Sequence, residues 1–494
     1  MTVATIAPPL WAHQQQALDR LLPMTSALLG AGMASGKSRV ALEMARERRV
    51  KRLLVICKKA AVENVWGPQC DRWLPDRRVL LIGEGSGMAR ERKIRAFRDG
   101  VITINYDALG LGNTVRRKPG DPKPKEKVKK QTIIEGGVPA ALRDWLLEGP
   151  EARGATMVVF DEIQRLAAPG GQQSWLAYLI GQHATYRLGM SGTPLGQRPL
   201  GAYAVLRALG VSKRLGTAYL SFTMFKRHFT RLAYWGEVHD GVSNDGGSLH
   251  PYIYINQDEL HDAIASISYF CNTRDYLDLP PEMDTVRTVT LEPEAQALYR
   301  KMERDFMVQL ANGRVTASNA GVKIGRLLEM AAGSVHDEDG KIQIVSLAPQ
   351  RELAEYFSEL PDDEPVVVFG HYTADLAMIQ AAGVDVGRKV LELSGQKKEL
   401  ARWIAGEAPI LAVQDQVGGD SINLTRACYA CFFSLGWSVT NYDQMRWRLV
   451  RPEQTRPVNF THIVAKGTVA EEVMPALVQR ADVLESVLRT RGGK

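Results

Sequence analysis

The sequence predicts an α/β protein made of two parallel-sheet lobes in tandem, joined by a helical connector. Three observations carry this prediction. Short apolar runs alternate with helix-forming stretches, from about residue 26 to 210 and again from about 285. A loop of small residues, Gly30-Ala-Gly-Met-Ala-Ser-Gly-Lys37-Ser38, follows the first apolar run. A later run, Met157 to Phe160, ends in the adjacent carboxylates Asp161 and Glu162.

The elements follow in order. Ser26 to Leu29, Arg52 to Cys57, Val79 to Ile82, Val101 to Ile104 and Met157 to Phe160 are expected strands of the first lobe. Val366 to Phe369, Ile410 to Val413, Cys431 to Phe433 and Phe460 to Val464 are expected strands of the second. Continuous apolar runs suit parallel strands covered on both faces. Their alternation with helical stretches is the rhythm of βαβ units. The expected lobes are 1–212 and 285–494, with an irregular helical connector at 213–284 that ends near Leu279-Pro280-Pro281.

Composition narrows the function classes. The apolar fraction is 45% and the charged fraction 24%, as in a water-soluble globular chain. Net charge is +7, from 62 basic and 55 acidic residues, which mildly favours a polyanionic partner. Five cysteines are scattered, and only Cys428 and Cys431 form a C-x-x-C. No second pair completes a zinc site, and the apolar setting from Ala427 to Phe433 suits buried strand thiols. The expected compartment is reducing and cytoplasmic. The first residues lack a charged-then-apolar signal pattern, and no apolar run approaches the ~20 residues of a membrane helix. Residues 116–131, inside a loop spanning 113–133, read RRKPGDPKPKEKVKKQ. They lack apolar periodicity and suit an exposed basic loop, either a tether or a contact to a nucleic-acid backbone.

The glycine-rich loop has the residues of a triphosphate cradle, with Ala31 where the strict motif has glycine. Small residues at Gly32, Ala34, Ser35 and Gly36 let backbone N–H groups converge on phosphate oxygens. The helix that follows points its positive end at the same group. Lys37 suits the β- and γ-phosphates, and Ser38 suits Mg²⁺. Asp161 and Glu162 stand at the carboxyl end of a strand, where open α/β sheets bind ligands. Asp161 suits Mg²⁺ coordination through water, and Glu162 suits orientation and deprotonation of an attacking water. In the second lobe Gln444, Arg448, Arg451 and Gln454 recur as Gln-x3-Arg-x2-Arg-x2-Gln. If helical, this stretch puts Arg448 and Arg451 on one face, two guanidinium groups suited to a γ-phosphate in transit.

Taken in order, these motifs resemble superfamily 2 helicases, and specifically the Swi/Snf-like translocase branch. Leu10-Trp-Ala-His-Gln14 is similar to the opening motif, which implies that Gln14 faces the adenine. Ala31 to Ser38 resembles motif I, Leu53 to Lys58 with Val65-Trp66 motif Ia, and Thr103 to Tyr106 motif Ib. Asp161-Glu-Ile-Gln164 resembles motif II, Ser191 to Leu195 motif III, and Val366 to Phe369 motif IV. Gly418 to Thr425 resembles motif V, and Gln444 to Gln454 motif VI. Gln164 departs from the family's histidine, Ser421 from a glycine, and Ala34 and Ser38 from glycine and threonine.

The resemblance implies two RecA-like lobes that hold ATP and Mg²⁺, with Gly419 also on the nucleotide and Gln444, Arg448 and Arg451 in catalysis. It implies that Lys58, Tyr106, Thr193, Asn423 and Thr425 grip a nucleic-acid strand. It favours ATP-driven translocation on double-stranded DNA, by a compact protein of a bacterium or phage. Two other readings stay open from sequence: a strand-separating DNA or RNA helicase, and an ATP-binding switch of low turnover. The trailing Gln454 argues against RNA.

Overall fold

The computed structural model describes residues 8–110, 137–147, 156–192, 199–232, 242–243, 252–311, 317–336, 341–415 and 422–479. The expected basic loop, Thr193 and Gly419 lie outside them. Contacts divide the chain into two units, Met1–Leu277 and Asp278–Lys494.

In the first unit, β1 (Ser26–Ala31), β2 (Arg52–Cys57), β3 (Val79–Ile82), β4 (Gly100–Asn105), β5 (Thr156–Asp161) and β6 (Tyr186–Ser191) belong to one sheet. A small antiparallel sheet of β7 (Thr230–Leu232), β8 (Val242–Ser243) and β9 (Tyr252–Tyr254) follows, then β10 (Ser268–Cys271). The large sheet runs β10-β1-β6-β5-β2-β4-β3, with every pairing parallel. Strands β1 and β4 are buried along their whole length. Because side chains alternate across a strand, Leu54, Ile56, Val158 and Phe160 pack in one core. Leu53, Val55, Met157 and Val159 pack in a second core on the opposite face. This double covering is why the runs read as continuously apolar rather than alternating.

The 213–284 segment is not a separate body. Its strand β10 adds to the first sheet beside β1, with Leu28 opposite Ser268 and Ala31 opposite Cys271. Strand β11 (Glu282–Val289) already belongs to the second sheet. Both are edge strands with exposed faces, so neither shows the apolar run of a central strand.

The second unit repeats the design. After a two-stranded ribbon, β12 (Ser334–His336) with β13 (Ile342–Ile344), come β14 (Val366–Gly370), β15 (Val390–Leu393), β16 (Ile410–Gln414), β17 (Tyr429–Phe432) and β18 (Val458–Ala465). The order is β11-β18-β17-β14-β16-β15, again parallel throughout. Cys431 is buried in β17 and Cys428 just before it, both as free thiols.

Candidate nucleotide and nucleic-acid sites

In the first lobe the two chemical motifs emerge on one sheet edge. Leu29 of β1 aligns with Met190 of β6, and Met190 with Asp161 of β5. Two strand spacings separate the rows, so the backbones at Leu29 and Asp161 are about 10 Å apart. The phosphate-type loop starts two residues beyond Leu29, at the carboxyl end of β1.

The loop is held from three sides. Helix α1 (Ala12–Leu21) contributes His13 and Gln14, whose Nε2 atoms meet the Ser35 carbonyl at 2.8 and 3.1 Å. Gln14 also accepts the Trp11 backbone N–H through Oε1 at 3.1 Å, so its amide fastens α1 to the loop. The Ser35 hydroxyl donates to the Gly32 carbonyl at 2.7 Å. The Lys37 ammonium donates to the carbonyls of Ala31 and Gly32, both at 2.9 Å, at the mouth of the loop. Helix α2 (Lys37–Glu47) begins after Gly36, whose φ of +75° is left-handed. A β-carbon on Gly36 would lie 2.2 Å from Gln14 Nε2, so glycine is required twice over. Ala34 has a φ of +59°, where the family's glycine would rest without strain.

The third support was not legible in sequence. Thr273, just past β10, donates from its hydroxyl to the Met33 carbonyl at 2.9 Å. A β-carbon on Gly32 would meet that hydroxyl at 2.3 Å. Residues 240 positions apart make this contact, and no local pattern announces it.

At the end of β5, Trp66 Nε1 donates to Asp161 Oδ2 at 3.0 Å. Glu162 has a φ of +52° and is buried. Left-handed backbone at a non-glycine is strained, and it turns the glutamate away from the strand direction. Gln164 Nε2 donates to Glu162 Oε2, so the residue that departs from the family's histidine is in direct contact with the expected base.

Tyr106 corrects an expectation. It is 1% exposed, and its hydroxyl donates to the Asp161 carbonyl at 2.9 Å. Burial pushes the phenol well above its ordinary range. A side chain so enclosed cannot grip a strand; it positions the Asp161-Glu162 turn. Lys58 is half-buried beyond β2, one position past the row that aligns Cys57 with Asn105.

The donor set fits a nucleoside triphosphate with Mg²⁺. The first N–H groups of an eleven-residue helix lie free of intrahelical bonds beside a lysine and a serine hydroxyl. Among the described residues no three His, Cys, Asp or Glu converge. A magnesium ion here would therefore rest on Ser38, Asp161 and phosphate oxygens, as hard cations with few protein ligands do.

The second lobe knits its two motifs together. Helix Val439–Arg446 carries Gln444 and then stops, so Arg448 and Arg451 sit in turns rather than on one helical face. Pro452 disfavours helical backbone at Arg451, so the helix does not resume through that residue. The Leu424 N–H donates to the Arg448 carbonyl at 2.9 Å. Arg451 Nη2 donates to the Ile422 carbonyl at 3.0 Å. Gln454 Nε2 donates to the carbonyls of Thr425 and Ala427 at 3.1 and 2.8 Å. Arg448 is 2% exposed, and burial lowers the Arg451 pKa. Asn423 is exposed, and its Oδ1 accepts the Thr425 N–H and hydroxyl at 2.9 and 2.7 Å, a turn that presents both side chains at the surface. Arg446, not singled out by sequence, is structural: it bridges Glu282 at 2.7 Å and also pairs with Asp284 on β11.

A polar cluster fills the carboxyl edge of the second sheet. Asp375 accepts the Tyr372 N–H at 2.8 Å and the Ser434 hydroxyl. Burial pushes its carboxyl up to about 7. His371 Nδ1 pairs with Asp415; burial opposes its charge, but the carboxylate prevails and its pKa is raised.

No family model matches the chain. It is 23% identical over 481 residues to a putative protein, p41, of Acyrthosiphon pisum secondary endosymbiont phage 1, covering 94% of each. Shorter matches reach the DNA repair protein RAD5 of Cryptococcus neoformans and a helicase-like transcription factor, CHR27, of Arabidopsis thaliana. The first is 27% identical over 146 residues, the second 24% over 134. These matches cover 27% and 26% of this chain but only 12% and 13% of those proteins. Among solved structures, the Hef helicase domain of Pyrococcus furiosus superposes with a TM-score of 0.53 at 16% identity, covering 95% of this chain and 98% of that one. The Sulfolobus solfataricus SWI2/SNF2 ATPase core in complex with dsDNA gives 0.40 at 18% identity, covering 98% and 94%.

The fold is therefore that of tandem RecA-like lobes, shared with the Hef helicase domain. Short stretches of the chain are similar to proteins named for DNA repair and helicase-like transcription, and a phage protein of similar length matches across 94% of it.

Proposed function

We propose that this chain is a DNA-dependent ATPase that couples hydrolysis to translocation on mainly double-stranded DNA, remodelling DNA structures or DNA-bound proteins in replication, recombination or repair. One observation carries the reading: the Lys37-Ser38 loop and the Asp161-Glu162 turn reach the same carboxyl edge of one parallel sheet, within about two strand spacings. The relatives named for DNA repair and helicase-like transcription factors support the partner. In this reading Gln14, Gly32, Ala34, Ser35 and Gly36 shape the nucleotide pocket, and Gly419 is proposed as a further nucleotide contact. Lys37 neutralises phosphate charge, and Ser38 with Asp161 holds Mg²⁺, which supplies electrophilic stabilisation of the phosphates. Glu162 accepts the proton of the attacking water, with Gln164 fixing its carboxylate. Gln444 and Arg451 supply the second lobe's donors to the reaction; Arg448, expected beside them, is buried, and its carbonyl ties the turn to Leu424. Lys58, Thr193, Asn423 and Thr425 contact the DNA backbone, so sequence preference is slight. A change in lobe closure during the nucleotide cycle would alternate grip and release.

The test is steady-state ATPase activity with duplex DNA, single-stranded DNA and RNA. Strong, salt-sensitive stimulation by duplex supports the proposal. Stimulation by single strands or RNA alone would replace it with a strand-separating helicase. Replacing Glu162→Gln is expected to lower turnover at least a hundredfold while ATP binding persists; retained turnover would remove Glu162 from its assigned role.

A further inference from the structure

The opposite edge of the first sheet, at the amino ends of its strands, carries a second cationic face. Arg52 opens β2 and aligns with Gly100 of β4. The Lys51 carbonyl accepts the Gly100 N–H at 3.0 Å, and the Arg78 carbonyl accepts the Val101 N–H at 2.9 Å. Residues 51, 77, 78 and 98 are thereby gathered on one edge, and the end of α2 adds Arg46 and Arg49. Arg46, Arg49, Lys51, Arg78 and Arg98 are exposed, and Arg77 is half-buried.

Three neighbouring arginines are engaged within the fold. Arg46 pairs with the buried Glu43 and lies 4.0 Å from Glu47. Arg48 caps α1 through the Leu21 and Leu22 carbonyls and lies over the Tyr186 ring at 4.2 Å. Arg52 pairs with Asp99 at 2.9 Å and donates to the Trp145 carbonyl at 2.7 Å. The exposed carboxylates on this edge are Glu47, Asp76 and Asp99, and Asp99 is already engaged by Arg52. Five further cations, Arg49, Lys51, Arg77, Arg78 and Arg98, still outnumber the exposed acids Glu47, Asp76 and Asp99. Complementing the negative end of α2 accounts for Arg46 and Arg49. It does not account for Lys51, Arg77, Arg78 or Arg98, which lie at strand ends and in a loop.

Two further features mark the edge as built. A small notch with an apolar floor, Val50, Leu53, Leu74 and Val101, is rimmed by Arg46 and Arg77. Arg49 occupies a left-handed position, φ +52°, at the end of α2, where glycine is usual. An arginine kept there costs about 1 kcal/mol of backbone strain.

We propose that this edge is a second contact to the phosphate backbone of duplex DNA, separate from the strand ends that carry the nucleotide loop. Lys51 and Arg78 lie across three adjacent strands, about 10 Å apart, a spread that reaches more than one phosphate. Because the face lies at the other end of strands six residues long, about 20 Å away, its grip does not depend on bound nucleotide. It serves as a constant hold on DNA while the carboxyl-edge contacts alternate. This rests on the DNA-dependent reading above.

The test is a triple variant, Arg49→Gln with Arg78→Gln and Arg98→Gln, compared with the intact chain on a fluorescent duplex across a salt series, with and without nucleotide. We expect duplex affinity to fall at least tenfold at 100 mM salt, equally with and without nucleotide. The slope of log affinity against log salt should drop by about 2 to 3, one phosphate contact per arginine. Turnover at saturating duplex should be unchanged, with only the half-stimulating DNA concentration raised. Circular dichroism melting confirms folding, and the milder single variant Arg98→Gln should lower the slope by about 1. An unchanged affinity and slope, while the wild type binds duplex, would overturn this inference and leave the proposed function standing. A wild type that hydrolyses ATP but binds no duplex would overturn both.

Discussion

Replacing Asp375→Asn should make the second lobe's stability depend less on pH, by an amount the structure sets. Asp375 is fully buried, its Oδ2 accepts the Tyr372 N–H and the Ser434 hydroxyl, and its Oδ1 has no partner. Burial pushes its pKa from 3.8 to about 7. Between those values the folded lobe keeps a proton that the unfolded chain has released. Unfolding then becomes easier as pH rises, by about 1.4 kcal/mol per pH unit, and the effect ends above about 7. The full span is about 4 kcal/mol, of which about 3 kcal/mol falls between pH 5 and 8. Asparagine does not titrate, yet its carbonyl can accept both existing hydrogen bonds. His371, whose folded pKa is also raised, contributes stability present below 6.5 and lost as pH climbs through its folded value, so it acts in the same direction. A residual slope should therefore survive in the asparagine variant and shrink further on adding His371→Gln. Hydrogen exchange of peptides covering 366–370 and 429–433, read at pH 5, 6, 7 and 8, reports the lobe locally. A wild-type-to-variant difference that stays constant across that range would refute the assignment of a buried, protonated carboxyl.

Three other outcomes follow from the geometry. Tyr106→Phe should lower ATP turnover several-fold and stability by about 1 kcal/mol, while duplex affinity stays within twofold; a tenfold loss of duplex affinity at unchanged turnover would restore the tyrosine to a gripping role. Gly36→Ala should weaken ATP binding at least tenfold in equilibrium titration, because the added methyl group displaces Gln14 and the residue cannot hold φ +75° without strain. Arg446→Ala should cost about 3 to 5 kcal/mol in denaturant unfolding by leaving Glu282 and Asp284 uncompensated at low exposure, and a loss under 1 kcal/mol would show the pairs to be surface-like.

The sequence by itself determined the two-lobe plan, because a strand covered on both faces must be apolar along its length. The runs at 52–57 and 79–82 match β2 and β3 residue for residue. It also determined which residues end those strands, and so which chemistry stands on the carboxyl edge: Lys37, Ser38, Asp161 and Glu162. The edge strands β10 and β11 escaped notice because exposure lets them carry polar and charged residues; Glu282-Met-Asp-Thr-Val-Arg287 reads as polar linker, yet pairs with β18 along its length. Only tertiary structure decided what the motif residues touch. Tyr106 reads as a surface residue until β5 is laid beside it, and Thr273 has no meaning until β10 docks next to β1 and brings its hydroxyl to the loop. The arginines after Arg446 read as one helical face, but the helix ends at Arg446 and the chain turns, with Leu449 and Val450 buried. Such contacts join residues far apart along the chain, and hydrogen-bond geometry at that separation is set by how the sheets stack, which no local pattern encodes.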